Sequence, residues 1–168
     1  MNQALQFDAD DPNGLARCMS ALGMRSDFVI QGFRYWNSRR RGRSCPDRQD
    51  IDPLIDVPTL APHVILFDVR RDPLDFRFRL VGSAVRQNLS RDYVGHWFSE
   101  YPNYDQTGSI WPRHKLVDET QQPMLQRPTY VGPHKEFIHV ENVLLPLSAS
   151  QPGWSMQLMF IDFIRKNA

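Results

Sequence analysis

The stretch HVILFDVRRDPLDFRFRLVG (His63–Gly82) decides the architecture. Its first part, Val64–Val69, is a compact apolar run of strand length. Asp72–Asp75 (DPLD) is turn chemistry. After the turn, Phe76, Phe78 and Leu80 alternate with Arg77 and Arg79. Period two gives one dry and one wet face, so the stretch is an antiparallel hairpin.

Downstream, SAVRQNLS (83–90) has the composition of a short helix, and Gly95 breaks the segment DYVGHWFSEY. Residues Ser109 to Gln122 form a longer helix, with Ser109 as N-cap, Pro112 in the first turn and Pro123 as the stop. Ile110, His114 and Val117 share one face of it. Three strands then follow: RPTYVG (127–132), EFIHVENVLLPL (136–147) and WSMQLMFIDFI (154–164). GPHKE and SASQPG mark the turns between them. Two strands, a helical crossover and a three-strand meander make an α+β fold. It is a five-stranded antiparallel sheet with the crossover on one face.

Upstream lies an extra N-terminal helix. Ser26 is its N-cap and Asp27 suits the positive end of the helix dipole. Val29, Phe33 and Trp36 recur at i, i+4 and i+7, a wide apolar stripe. The stripe needs a partner, either the far face of the sheet or a second copy of the chain. Val29, Phe33 and Trp36 are therefore the expected homodimer interface. Five arginines fall between Arg39 and Arg48, followed by an acidic segment broken by Pro46, Pro53, Pro58 and Pro62. Arginine at a helix C-terminus complements the dipole, so a solvated helix end followed by a connector explains this run. The expected organisation is an arm over 1–25, partly helical, a helix with a proline-rich connector over 26–62, and one sheet domain over 63–168.

Composition narrows the function classes. The 168 residues are 41% hydrophobic and 23% charged, enough for one globular core. Formal net charge is +1, against a whole-domain nucleic-acid footprint. Cys18 and Cys45 allow at most one disulfide. The N-terminus lacks a basic and apolar leader pattern, and no apolar run is long enough for a membrane span. A soluble, cytoplasmic protein is the expectation.

Catalytic signatures are sparse. There is no GxSxG, GxGxxG or P-loop. His134 and His139 share no face, so no metal pair is expected, and His139 with Glu141 reads as an exposed pair. His114 and Asp118, spaced i, i+4, are the one acid–base pair an enzyme could use.

The runs YWNSRRRGRSCPDRQDIDP (35–53) and FRFRLVGSAVRQNLSRDYVGHWFSE (76–100) carry a resemblance. The features are Tyr35 and Trp36, the Arg41–Gly42 turn with Pro46 and Arg48, Asp50 to Pro53, Phe76 to Ser83, and Arg91 to Gly95. Together they resemble a bacterial family of small, stand-alone PAS-like domains. The resemblance implies a PAS-like five-stranded sheet with a central pocket under the helices. It implies a non-enzymatic sensory or regulatory role through protein–protein contact, with a signalling kinase or a second copy as partner. The pocket would be lined by Trp97, Phe98, Trp111, His114, Tyr130, Met156 and Leu158, and would take a small ligand unless these side chains simply fill the core. His114 stands on the helix that carries the axial histidine of haem-binding members, which makes haem the alternative cofactor.

Overall fold

The computed structural model describes residues 3–166. In chain order the elements are β1 (Ala4–Gln6), α1 (Gly14–Leu22), α2 (Asp27–Arg40), α3 (Pro53–Asp56), β2 (Val64–Arg70), β3 (Asp75–Val81), α4 (Ser83–Asn88), α5 (Ile110–Thr120), β4 (Met124–Gln126), β5 (Phe137–Ser148) and β6 (Trp154–Arg165). The strands form one antiparallel sheet in the order β1-β4-β5-β6-β2-β3. The α+β class and the antiparallel sheet agree with the sequence. The strand count does not, because the arm over 1–25, for which no strand is expected, supplies β1, which pairs with β4 from Ala4↔Gln126 to Gln6↔Met124. A second difference concerns RPTYVG. The strand is the preceding triplet Met124–Gln126, and only Thr129 of the expected segment makes a bridge, to His139. The Thr129 bridge comes just after Pro128, which has no N–H to give a ladder.

Both faces of the sheet are covered. Leu66, Val143, Leu145, Leu147, Leu158 and Phe160 project to one face, where they meet Val29, Phe33 and Trp36. Phe67, Val69, Phe76, Phe78, Leu144, Met159 and Ile161 project to the other, beneath the crossover of α4, α5 and the intervening loops.

Helix α2 begins as the sequence indicates: Ser26 Oγ accepts the Val29 N–H. A buried acid reinforces that end. Glu141, fully buried on β5, accepts the Arg25 and Ser26 N–H groups at 2.7 and 2.8 Å, and its other oxygen meets His139 Nε2 at 2.9 Å. His139 and Glu141 are thus a buried clasp and not an exposed pair. The reason is geometric: odd residues of β5 face α2, and α2 covers them.

The apolar stripe of α2 lies against this sheet. Val29 and Trp36 are 0% exposed and Phe33 is 8% exposed. Gly32 makes the approach possible, since a Cβ there would come within 2.3 Å of the Phe160 ring. Trp36 Nε1 donates to the Pro146 carbonyl at 2.9 Å. The expected homodimer surface at Val29, Phe33 and Trp36 is therefore corrected. The sheet of the same chain satisfies this stripe, and nothing of it is left for a second copy.

The arginine run also resolves. Arg40 pairs with Asp10 of the arm at 2.6 Å, Arg39 with Asp56 at 3.2 Å, and Arg43 with Asp47 and Asp50 at 3.1 and 2.6 Å. The hydrogen bond to Arg43 holds the Asp50 carboxyl below its ordinary range. Tyr35 completes the join: its hydroxyl donates to Asp56 and accepts the Asp52 N–H. Burial, with Asp56 beside it, pushes that phenol up to about 12. The basic stretch is a set of ties from α2 to the arm and to the connector. Cys18 and Cys45 are both free and buried.

Candidate functional site

The crossover face holds a cavity of about 280 Å³. Its floor is the sheet, through Ile65, Phe67 and Phe78, then Val140 and Asn142, then Met159, Ile161 and Phe163. Its roof is Tyr93, Phe98, Tyr104 and the α5 residues Ile110, Arg113 and His114. Spacing i, i+3, i+4 puts those three on one helix face. One wall is the loop 128–132, tied to the end of α4. Tyr130 Oη donates to the Asn88 carbonyl at 2.8 Å, and His134 Nε2 meets the Gln87 carbonyl at 2.8 Å. Gly132 packs inside this tie, where a Cβ would lie 2.2 Å from Tyr130 Oη.

The aromatic shell is organised around Phe78 and Phe98. Phe78 stacks on Tyr93 at 5.1 Å between centroids and meets Phe98 at 5.2 Å, while Phe98 meets Tyr104 at 5.2 Å. Burial pushes the Tyr104 phenol up, with Tyr93 adding to the shift.

His114 is enclosed. Its ring is 2% exposed and lies edge-on to Phe67 at 4.7 Å and Phe98 at 4.9 Å, with Phe76 at 5.4 Å. Gln157 Nε2 donates to the His114 carbonyl at 2.8 Å, which turns Gln157 Oε1 toward His114 Nδ1 at 2.7 Å. An amide oxygen can only accept, so Nδ1 carries the proton of a neutral ring. Burial pushes the imidazole down to about 4, so the ring is neutral at pH 7. An axial iron ligand must offer its nitrogen to open space beside a broad flat group. Three phenylalanines occupy that surround, so His114 does not fit the haem reading. Nor is it paired for acid–base work. Asp118 faces away, bound by Arg71 and by Ser155 Oγ at 3.1 Å.

A row of polar groups crosses the cavity wall. Arg113 Nη1 donates to Gln126 Oε1 at 3.3 Å, and Gln126 Nε2 donates to Asn142 Oδ1 at 2.9 Å. Gln126 and Asn142 are each 4% exposed and face each other across the β4–β5 ladder. Arg113 is half-buried and makes no ion pair among the described residues; desolvation lowers its pKa.

Of the seven residues the sequence nominates, Phe98, His114 and Tyr130 line this cavity. Trp111 packs in the same core against Phe76 without lining it. Trp97 lies at the β3 edge, under the guanidinium groups of Arg70 at 4.1 Å and Arg77 at 4.8 Å. Met156 and Leu158 project to the α2 face, because the even residues of β6 point away from the crossover. These three are corrected by position: on β6 the cavity takes Met159 and Ile161 instead. Met156 borders a second groove of about 470 Å³ with Asp68, Arg77, Arg79 and Trp154. Within it Asp68 pairs with Arg77 at 2.8 Å and with Arg79 at 3.7 Å.

Arg113, Gln126 and Asn142 escaped the sequence reading. Asn142 carries a signal at period two, a polar residue between Val140 and Leu144.

Among the described residues no helix is long and apolar enough to cross a membrane, and no cluster of three or more His, Cys, Asp or Glu side chains could hold a metal. No curated protein matches the sequence. The PAS domain family matches over residues 24–158, a span that runs from the turn before α2 into β6 and contains the crossover and most of the residues that line the cavity. The chain belongs to the PAS domain family.

Proposed function

We propose that this chain is a sensory and regulatory domain that takes a small ligand in the crossover cavity and signals by contact with another protein, a signalling kinase or a second copy. The observation that carries the reading is the cavity itself. The crossover face of the sheet keeps about 280 Å³ between a strand floor and a roof of aromatic side chains and α5. Ligand sites are concave, mostly apolar and marked by a few placed polar groups, and this one has an aromatic shell with one polar row. Its volume lies at the small end of such sites, which favours a compact ligand.

The loop 128–132 suits the output. Tyr130 and Gly132 line the cavity, and Val131 between them is 91% exposed. A ligand that moves this wall moves an apolar side chain on the surface. A second copy would have to use such a surface, because the stripe of α2 is buried.

The test joins native mass spectrometry of the purified protein with hydrogen exchange across a panel of small metabolites. A retained compound, or one that raises Tm and protects residues 88–114 and 126–132, supports the reading. A protein that carries nothing, and that no compound protects in those segments, refutes it.

A further inference from the structure

Arg113 lines the crossover cavity and makes no ion pair among the described residues. Other arginines around the fold have carboxylates: Arg17, Arg39, Arg40, Arg43, Arg71, Arg77 and Arg86 each pair with an aspartate. Arg113 has one long hydrogen bond to a neutral amide. It is nonetheless half-buried at a cavity edge, where a guanidinium loses hydration and has only that one bond in exchange. Its planar fork has five N–H donors, so one bond to Gln126 leaves most of them open. A carboxylate is the group whose geometry matches that fork.

The rest of the wall fixes the other end of the ligand. Phe78, Phe98 and Tyr93 offer flat apolar surface within the same space. Neutral His114 adds no second positive charge, so the site is suited to one anionic group and not to a dianion. Gln126 and Asn142 add neutral amides beside the guanidinium.

Building on the ligand-sensing reading above, we propose that the cavity selects small aromatic monocarboxylates, held by Arg113 through the carboxylate and by the Phe78–Phe98–Tyr93 shell through the ring. The positive charge of Arg113 would be neutralised only in the occupied state. The acid is bound as its anion, so affinity falls at pH values low enough to protonate it.

Phenylacetate and its neutral isostere phenylacetamide are suitable probes, followed by calorimetry and by amide chemical shifts of Val140, Asn142 and Ile161. At pH 7 the wild-type chain is expected to prefer the acid by roughly tenfold to a hundredfold, the span of a charge-assisted hydrogen bond. Arg113→Gln should remove that preference, so that acid and amide bind alike, and dispersed amide chemical shifts show that the variant folds. Arg113→Lys should keep a part of it, since the charge stays and the fork goes. Equal binding of acid and amide by the wild type overturns the carboxylate selection while the cavity reading stands. Binding of the acid that Arg113→Gln does not weaken overturns the role of Arg113. Failure of the acid to bind at all overturns the inference, whatever the wider panel shows for the cavity.

Discussion

Replacing Trp36 by alanine tests whether α2 belongs to the core of its own chain. The side chain is 0% exposed, and its indole N–H is bonded to the Pro146 carbonyl at 2.9 Å. Phe33 packs on it at 5.8 Å between centroids, and the Arg40 guanidinium lies 5.4 Å from its ring. Truncation removes a large buried surface, leaves a cavity against β5 and strips a donor from a buried carbonyl. Core Trp→Ala changes cost about 3–5 kcal/mol. For a chain of this length each kcal/mol lowers Tm by roughly 2–4 °C, so a fall of about 6–20 °C follows. Trp36→Phe keeps most of the packing and isolates the orphaned carbonyl, which costs about 1–3 kcal/mol. Urea unfolding followed by far-UV dichroism, at two protein concentrations tenfold apart, measures both variants. The two losses should be independent of concentration. A wild-type midpoint that rises with concentration, while the Trp36→Ala midpoint equals that of dilute wild type, would place the indole between two chains and refute the argument.

Two further outcomes follow from buried ionisable groups. Glu141→Gln keeps the shape but removes the charge that accepts the Arg25 and Ser26 N–H groups. It should cost about 2 kcal/mol, the scale of a hydrogen bond to a charged group. Faster hydrogen exchange at Ser26–Val29 would localise the loss, and unchanged exchange there would count against the clasp. His114 gives a pH signature. Its folded pKa of about 4 lies below the ordinary value of 6.5, so the unfolded chain takes up a proton first as the pH falls. Stability is therefore intact above about pH 6.5, declines as pH falls toward 4 and levels off below it, by about 3 kcal/mol in all. His114→Gln should flatten that part of the stability profile, and parallel profiles for the two proteins would show that the imidazole is not the source.

The features legible in the sequence were those with a period. The alternation of Phe76, Arg77, Phe78 and Arg79 announces a strand because β3 is half wet. Val29, Phe33 and Trp36 announce α2, and the 109–122 segment announces α5 with its inward His114. Beta6 gave no such signal. WSMQLMFIDFI is buried on both faces, so nothing in it shows which parity faces the cavity, and Met156 and Leu158 lie on the α2 side. Beta1 and β4 are three residues each, and their pairing joins positions more than 110 apart. No local pattern encodes a contact of that range. The same holds for the Arg113–Gln126–Asn142 row, whose members come together only when α5 lies across the β4–β5 ladder.

The two faces of β6 bear on how a ligand could be felt outside. Phe160 holds Gly32 of α2 in close contact on one face, while Met159 and Ile161 floor the cavity on the other. β6 is hydrogen-bonded to β5 along most of its length and to β2 from Trp154 to Phe160. A strand held on both sides, with a packed helix behind it, is the stiffest part of the cavity wall. The roof and the loop 128–132 hang by fewer bonds, among them the Tyr130 and His134 ties to the end of α4. Local stability follows such differences in bonding and burial, so the compliant wall takes the displacement. Occupancy of the cavity is therefore expected to register at Val131 and along α4, with α2 and its buried stripe left in place.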